Sequence, residues 1–154
     1  MAAWLLIFLA MLAVSLLIVP SPADYRWFTR LRRPRWFAYD GSASVVAAAT
    51  FLCFYASALL VWETLRPREQ PWPWMGAYLL LVVLVQSCTW VICRSRRLAT
   101  GTAMGFLGWL WGMLLTVMVA SLNGPAAALL VPYLIWSPVG ILLNWQMGRL
   151  NRTP

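Results

Sequence analysis

The stretch AAALLVPYLIWSPVGILLNWQM, residues 126–147, decides the fold of this chain. It contains no Asp, Glu, Lys or Arg, and an apolar run of about 20 residues is what a helix needs to cross a hydrocarbon core of about 30 Å. Four further runs share both properties and cover residues 2–19, 42–62, 72–93 and 98–122. Spans inside a bilayer must satisfy their own backbone hydrogen bonds, so these runs are expected to be helical. We therefore predict an all-α, polytopic membrane protein: a five-transmembrane-helix bundle that forms one domain over residues 1–154.

The first run has a second interpretation as a cleavable signal peptide. Ser21 and Ala23 are small residues at a spacing that resembles a cleavage site. However, no basic segment precedes the run, and its length of about 18 residues exceeds the ~7 to 15 of a signal-peptide core. We expect it to be a retained span.

The composition excludes several classes of function. The chain is 62% hydrophobic and 10% charged, its mean hydropathy is +0.74, and it has eleven Trp but no His. Without His, neither His-ligated haem nor His-based catalysis is available, and three Cys with four acidic residues lack the pattern of a zinc site or an EF-hand. We find no catalytic constellation, and we expect no metal site and no obligatory cofactor. The uncharged spans also argue against an ion-coupled transporter.

The arginines predict the orientation in the membrane. All twelve basic residues are arginines, and ten of them lie in the first connection (residues 20–41), in residues 94–97 or in the C-terminal tail. With five spans these three segments share one side, and the other side has only Arg66 and Arg68. By the positive-inside rule, the first connection and the C-terminus are cytoplasmic and the N-terminus is outside. The arginines form no continuous basic face, so we expect no nucleic-acid partner.

The first connection mixes arginines with aromatic residues, among them Trp27, Phe28 and Trp36. Such a segment suits the headgroup level of a bilayer, where guanidinium groups and aromatic rings both find partners. It is either an interfacial anchor or a lid over a cavity between the helices, with arginine available to a ligand carboxylate.

Four glycines recur on one face of the fourth span. They are Gly101, Gly105, Gly108 and Gly112. Small residues at this spacing let a neighbouring backbone come close, so the stripe is predicted to be a helix-packing surface. The pattern leaves open whether the neighbour is a span of the same chain or a second protomer in a dimer.

Two motifs resemble a known family. The fifth span contains Pro132-Tyr133-Leu134-Ile135-Trp136, followed by Leu143-Asn144-Trp145 and by Arg149-Leu150-Asn151; the first connection contains Trp27-Phe28, Leu31, Pro34 and Trp36. These residues resemble the C-terminal helix and the post-first-span segment of the TspO/translocator family of tryptophan-rich sensory proteins. Five spans and a long first connection agree with that resemblance over the whole chain.

The resemblance implies a fold, a ligand class and a pocket. Members of that family are five-helix bundles, commonly dimeric, that bind tetrapyrroles such as protoporphyrin in a pocket beneath the first connection. We accordingly expect a receptor or sensor in the lipid bilayer, whose partner is a hydrophobic small molecule. By similarity, the ligand-binding residues would be Trp36, Phe51, Ser87, Trp90, Tyr133, Trp136 and Asn144.

Two departures from the family pattern define the alternatives. Ala47 stands where the second span of the family carries a Trp, and Ser87 replaces an Asn in the third span. The first alternative is therefore a structural or assembly subunit of a larger membrane complex, with a degenerate pocket. The second alternative is an enzyme that degrades porphyrin in light, because some bacterial members of the family promote that reaction. We rank it last, since the Trp pair that the reaction is expected to need is incomplete in this chain.

Overall fold

The computed structural model describes residues 2–37 and 40–152, and these residues are helical apart from short connections. The helices are α1 (Ala3–Leu17), α2 (Pro22–Thr29), α3 (Asp40–Leu65), α4 (Trp72–Ser95), α5 (Leu98–Ala120) and α6 (Gly124–Leu150). Residues 38 and 39 of the first connection lie outside the described residues. The prediction of an all-α, multi-span membrane protein is confirmed: α3 to α6 are each long and apolar enough to cross a bilayer, and α1 and α2 taken together have the length and apolar composition of a fifth span.

The first span differs most from its prediction. Helix α1 ends at Leu17, and its 15 residues extend about 22 Å at 1.5 Å per residue. Pro20 and Pro22 explain the early end, because the residue before a proline is disfavoured in the helical conformation. The chain then bends by 74° into α2, a short helix that the sequence analysis did not predict. Ser21 is the N-cap of α2, and its Oγ accepts a hydrogen bond from the Asp24 backbone N–H at 3.2 Å.

Helix α6 stays continuous through two prolines. Pro138 has no N–H, so it cannot donate to the carbonyl of Leu134 four residues earlier. Trp109 of α5 replaces the missing donor, since its Nε1 donates to that carbonyl at 3.1 Å. Within a bilayer a freed carbonyl must find such a partner. The α5–α6 contact therefore compensates for the proline.

The five long helices form a closed ring. Helix α4 packs against α1, α3 and α5, while α6 packs against α3 and α5, and α1 also contacts α3. The half of the bundle near residues 66–71 and 121–123 is tightly packed. There the buried Ser57 hydroxyl lies 2.6 Å from the Tyr78 hydroxyl and donates to the Ala126 carbonyl at 2.7 Å. Three helices are thereby joined at that end.

The glycine stripe of α5 faces helices of its own chain. An added Cβ at Gly112 would lie 2.6 Å from Cε1 of Tyr133 in α6, and one at Gly101 would overlap Ile92 of α4. An added Cβ at either of the other two glycines would lie 3.1 Å from an α6 side chain. The absence of side chains thus lets α5 approach both neighbours closely. A second copy of the chain would have to bind through another surface.

Candidate ligand-binding cavity

A cavity of about 460 Å³ lies between the helices at the arginine-rich end of the bundle. Most of its walls come from the C-terminal halves of α1, α4 and α6 and the N-terminal halves of α3 and α5. Because neighbouring spans alternate in direction, these five half-helices meet at the same end. The cavity therefore extends from the middle of the bundle, where Phe54, Val82 and Tyr133 of the buried core line it, toward the first connection. Ala47 both lines it and is exposed, so the cavity reaches the bundle surface beside α3.

Aromatic side chains shape much of the wall. Phe51 and Phe54 of α3 and Tyr133 and Trp136 of α6 line the cavity. Phe54 meets Tyr133 edge to face, with ring centroids 5.1 Å apart, and Tyr133 is held against the glycine stripe. Such contacts fix the rings, because edge-to-face pairs add attraction beyond the area they bury. The wall offers ring faces and edges to a flat apolar ligand.

The polar groups of the wall are uncharged. Among the described residues, no Asp, Glu, Lys or Arg lines the cavity. Gln86 Nε2 donates to the Ser15 carbonyl at 3.3 Å. Asn144 Nδ2 donates to Cys88 Sγ at 3.8 Å, and Cys88 Sγ donates to the Gly101 carbonyl at 3.3 Å. The cavity can therefore hold an uncharged aromatic body and hydrogen-bond to it, but it cannot neutralise a buried charge.

The first connection covers the end of the bundle beside the cavity. Three of its apolar side chains, Trp27, Phe28 and Leu31, pack on the buried end cluster of Ile92, Leu98 and Met147. Trp36 Nε1 donates to Gln146 Oε1 at 2.7 Å. Asn151 exchanges two hydrogen bonds with the backbone of Arg32, at 3.1 and 3.0 Å. Helix α6 thus anchors this segment at two points.

The same end carries the positive charge, and several guanidinium groups lie over aromatic rings. The Arg149 guanidinium is 5.1 Å from the Trp145 ring centre, and that of Arg96 is 5.9 Å from the Trp27 ring centre. Arg96 also approaches Asp24 at 3.9 Å in an exposed pair. Exposed pairs of this kind contribute little to stability. Arg96 and Arg149 are both exposed, so an anionic group can reach them at this surface.

The structure divides the predicted site residues into three groups. Phe51, Tyr133, Trp136 and Asn144 line the cavity. Trp36 lies in the first connection, and its hydrogen bond to Gln146 attaches that segment to α6. Ser87 and Trp90 are outside the described lining, and Trp90 is 41% exposed on the outer side of α4.

The cavity is lined by a face of α4 that the predicted site residues did not include. Gln86 and Thr89 line the cavity, and they are three residues apart on one helix face. Amide and hydroxyl side chains at that spacing within a span indicate an interior-facing side, because lipid does not offer hydrogen bonds. Cys88 and Gly140 also line the cavity. Nothing in the sequence pattern distinguishes these two from ordinary packing residues.

Comparison with known proteins agrees with this architecture. The model of the TspO/MBR family matches residues 2–150. Two bacterial relatives are each 22% identical to this chain over 130 residues, which is 84% of the chain. They are an uncharacterized membrane protein YtaB from Bacillus subtilis, matched over 83% of its length, and a tryptophan-rich protein TspO from Bacillus cereus, matched over 84% of its length. A translocator protein from Ovis aries is 25% identical over 91% of this chain and 90% of its own length.

Proposed function

The chain belongs to the TspO/MBR family, and on that premise we propose that it is a membrane receptor or sensor for a flat, hydrophobic aromatic ligand, foremost a tetrapyrrole such as protoporphyrin. The observation that carries this proposal is the aromatic-walled cavity at the arginine-rich end. Its volume of about 460 Å³ falls in the range of roughly 300 to 1,000 Å³ typical of small-molecule sites.

The charge distribution supports a ligand with an apolar body and a carboxylate edge. The described cavity lining is uncharged, so a carboxylate buried there would lack a partner at high cost. Ten arginines lie in the segments at that end of the bundle. In the proposed binding mode, the macrocycle stacks in the cavity while its propionates extend to guanidinium groups, which bind carboxylates strongly.

The proposal is one of binding rather than of turnover. Ala47 lines the cavity at the position where the family resemblance implies a tryptophan. The described wall therefore has one ring fewer than the light-dependent reaction is expected to require.

We further propose that the arginine-rich end faces the cytoplasm and the N-terminus faces outside, since ten arginines lie on one side and two on the other. The ligand would then reach the cavity at its cytoplasmic end. Protease added to intact expressing cells should remove a tag from the N-terminus and spare a tag on the C-terminus. The opposite pattern would refute this orientation.

A fluorescence titration tests the binding proposal. Protoporphyrin added to the purified, detergent-solubilised protein should quench its Trp fluorescence with saturation at one ligand per chain. Trp136→Phe should lower the affinity, because this ring lines the cavity. Trp145→Phe is the matched control on the same helix, since Trp145 is 50% exposed and lies outside the described lining. Linear quenching that neither variant changes would refute the proposal and favour an assembly subunit.

A further inference from the structure

The whole net side-chain charge of the chain lies at one end of the bundle. That end carries ten arginines with two aspartates, Asp24 and Asp40, whereas the opposite end carries two arginines with two glutamates, Glu63 and Glu69. Two carboxylates cannot neutralise ten guanidinium groups, so the formal charge of +8 remains at the first end. A charge of this size at a membrane surface attracts anions.

The fold gathers these arginines around the buried end cluster of Ile92, Leu98 and Met147. Each residue of the cluster has an arginine within two positions in the chain, and so has each of the three first-connection side chains that pack on it. Because these apolar side chains meet, the arginines next to them surround the same place. The positive-inside rule accounts for the side on which arginines lie, but not for this gathering. Six exposed members define what we call the arginine surface: Arg26, Arg30, Arg94, Arg96, Arg97 and Arg149.

Contacts between segments place the α4–α5 connection beside α2. The Arg96 guanidinium is 5.9 Å from the Trp27 ring centre and 3.9 Å from a carboxylate oxygen of Asp24. Along α2 and its C-cap, Arg26 and Arg30 are four positions apart. Like charges at this spacing repel each other. An anion bound between the guanidinium groups would relieve that repulsion.

Aromatic side chains place the arginine surface at the headgroup level of a bilayer. Tyr25 and Trp145 are each about half exposed at this end. The Arg149 guanidinium lies 5.1 Å from the Trp145 ring centre, so this side chain turns back along the outer side of α6, toward the bilayer. Exposed Trp and Tyr are typical of membrane interfaces. A phosphate that is held in the bilayer therefore fits this surface better than an acidic protein in the water phase.

We propose that the arginine surface binds the phosphate groups of anionic phospholipids in the adjacent leaflet, through guanidinium groups of α2, the α4–α5 connection and the end of α6. Guanidinium groups bind phosphate oxygens through paired, charge-assisted hydrogen bonds. One such contact should raise affinity about fivefold, which is the equivalent of about 1 kcal/mol per basic residue. Lipid binding at this surface goes beyond the proposed function and does not depend on what the cavity binds.

Brominated lipids measure this preference, because bromine quenches the fluorescence of nearby Trp. The full chain is placed in phosphatidylcholine nanodiscs that contain a rising fraction of either brominated phosphatidylglycerol or brominated phosphatidylcholine with the same acyl chains. The salt concentration is about 0.15 M, at which charges farther apart than ~8 Å are largely screened. The wild type should bind phosphatidylglycerol about fivefold more tightly than phosphatidylcholine, as excess quenching at low lipid fraction.

A pair of double variants locates the site. Arg94→Gln with Arg97→Gln removes two positive charges from the arginine surface, at exposed positions outside the end cluster. This variant should lower the preference for phosphatidylglycerol at least twofold. Arg66→Gln with Arg68→Gln is the matched control, because it removes the same charge from exposed positions at the opposite end. The control should keep the wild-type preference.

Three results would overturn separate parts of the proposal. Equal binding of the two lipids by the wild type would refute lipid recognition and favour an acidic protein as the partner. An equal loss of preference in both double variants would refute the location, since net charge alone would then govern binding. Inorganic phosphate at 10-fold excess over the lipid should leave the preference unchanged, and its loss would assign the surface to the free ion.

Discussion

Replacement of Trp109 by phenylalanine tests how the bundle tolerates a proline inside α6. The variant keeps a ring in place but removes the N–H that donates to the Leu134 carbonyl at 3.1 Å. Pro138 cannot supply the intrahelical donor, so the carbonyl is left unsatisfied. We expect a loss of about 1 to 2 kcal/mol, which exceeds the ~0.6 kcal/mol average for interhelical hydrogen bonds in membranes, because Pro138 has removed the usual intrahelical donor.

A double-mutant cycle with Pro138 tests whether the stability cost of Trp109→Phe arises from the N–H that the proline lacks. In a Pro138→Ala background, residue 138 regains an N–H that can donate to Leu134, so Trp109→Phe should cost about 1 kcal/mol less there. The free energy of unfolding is measured by SDS titration of the protein in mixed micelles.

Trp111→Phe provides the matched control for this cycle. Trp111 Nε1 also donates to a helix carbonyl, that of Ala77, at 3.1 Å. The residue four positions after Ala77 is Leu81, which retains its own N–H, so the cost of Trp111→Phe should not depend on Pro138. Equal costs of Trp109→Phe in both backgrounds would refute the compensation argument.

Three further predictions concern packing, the cavity wall and the first connection. Gly112→Ala should lower the free energy of unfolding by about 1 to 3 kcal/mol, because the added Cβ overpacks against α6. Gly76→Ala is the control and should have no such effect, since nothing lies within 4 Å of its added Cβ. SDS titration measures the free energy of unfolding of both variants. Ala47→Trp places a Trp in the cavity wall, so it should increase the fraction of Trp fluorescence that saturating protoporphyrin quenches. Val45→Trp is the control and should give a smaller increase, because Val45 is 69% exposed and lies outside the described lining. Asn151→Ala removes both hydrogen bonds to the first connection, so trypsin should cleave that segment faster than in the wild type; an unchanged rate would contradict the anchoring.

Hydropathy was sufficient to predict an all-α protein with several membrane-spanning helices. Apolar length determines where a helix can cross a bilayer, and that property is local in the sequence. The bend after α1 could be predicted from the sequence only in part, because Pro20 and Pro22 indicate where a helix ends but not the angle of 74° between α1 and α2. The turn depends on the packing of α2 residues against the end cluster, which is a tertiary contact.

The described cavity lining contains the three ligand-binding residues predicted on α6 and neither of the two predicted on α4. The resemblance supplied Tyr133, Trp136 and Asn144, which the structure places in the wall. On α4 it pointed to Ser87 and Trp90, whereas the helix turns Gln86 and Thr89 toward the cavity. Helix rotation is set by the neighbours on both sides, and no single span encodes it.

The central claim, that the aromatic-walled cavity is the ligand site, can be tested by filling it. Gly140 lines the cavity, and an added Cβ there meets nothing within 4 Å, so Gly140→Leu places a side chain in the cavity without a backbone clash. Gly76→Leu is the matched control, because Gly76 is also helical with open space around it but lies outside the described lining. We predict that Gly140→Leu weakens protoporphyrin binding at least tenfold, about 1.4 kcal/mol, while Gly76→Leu binds like the wild type. Equal affinity of both variants and the wild type would contradict the account.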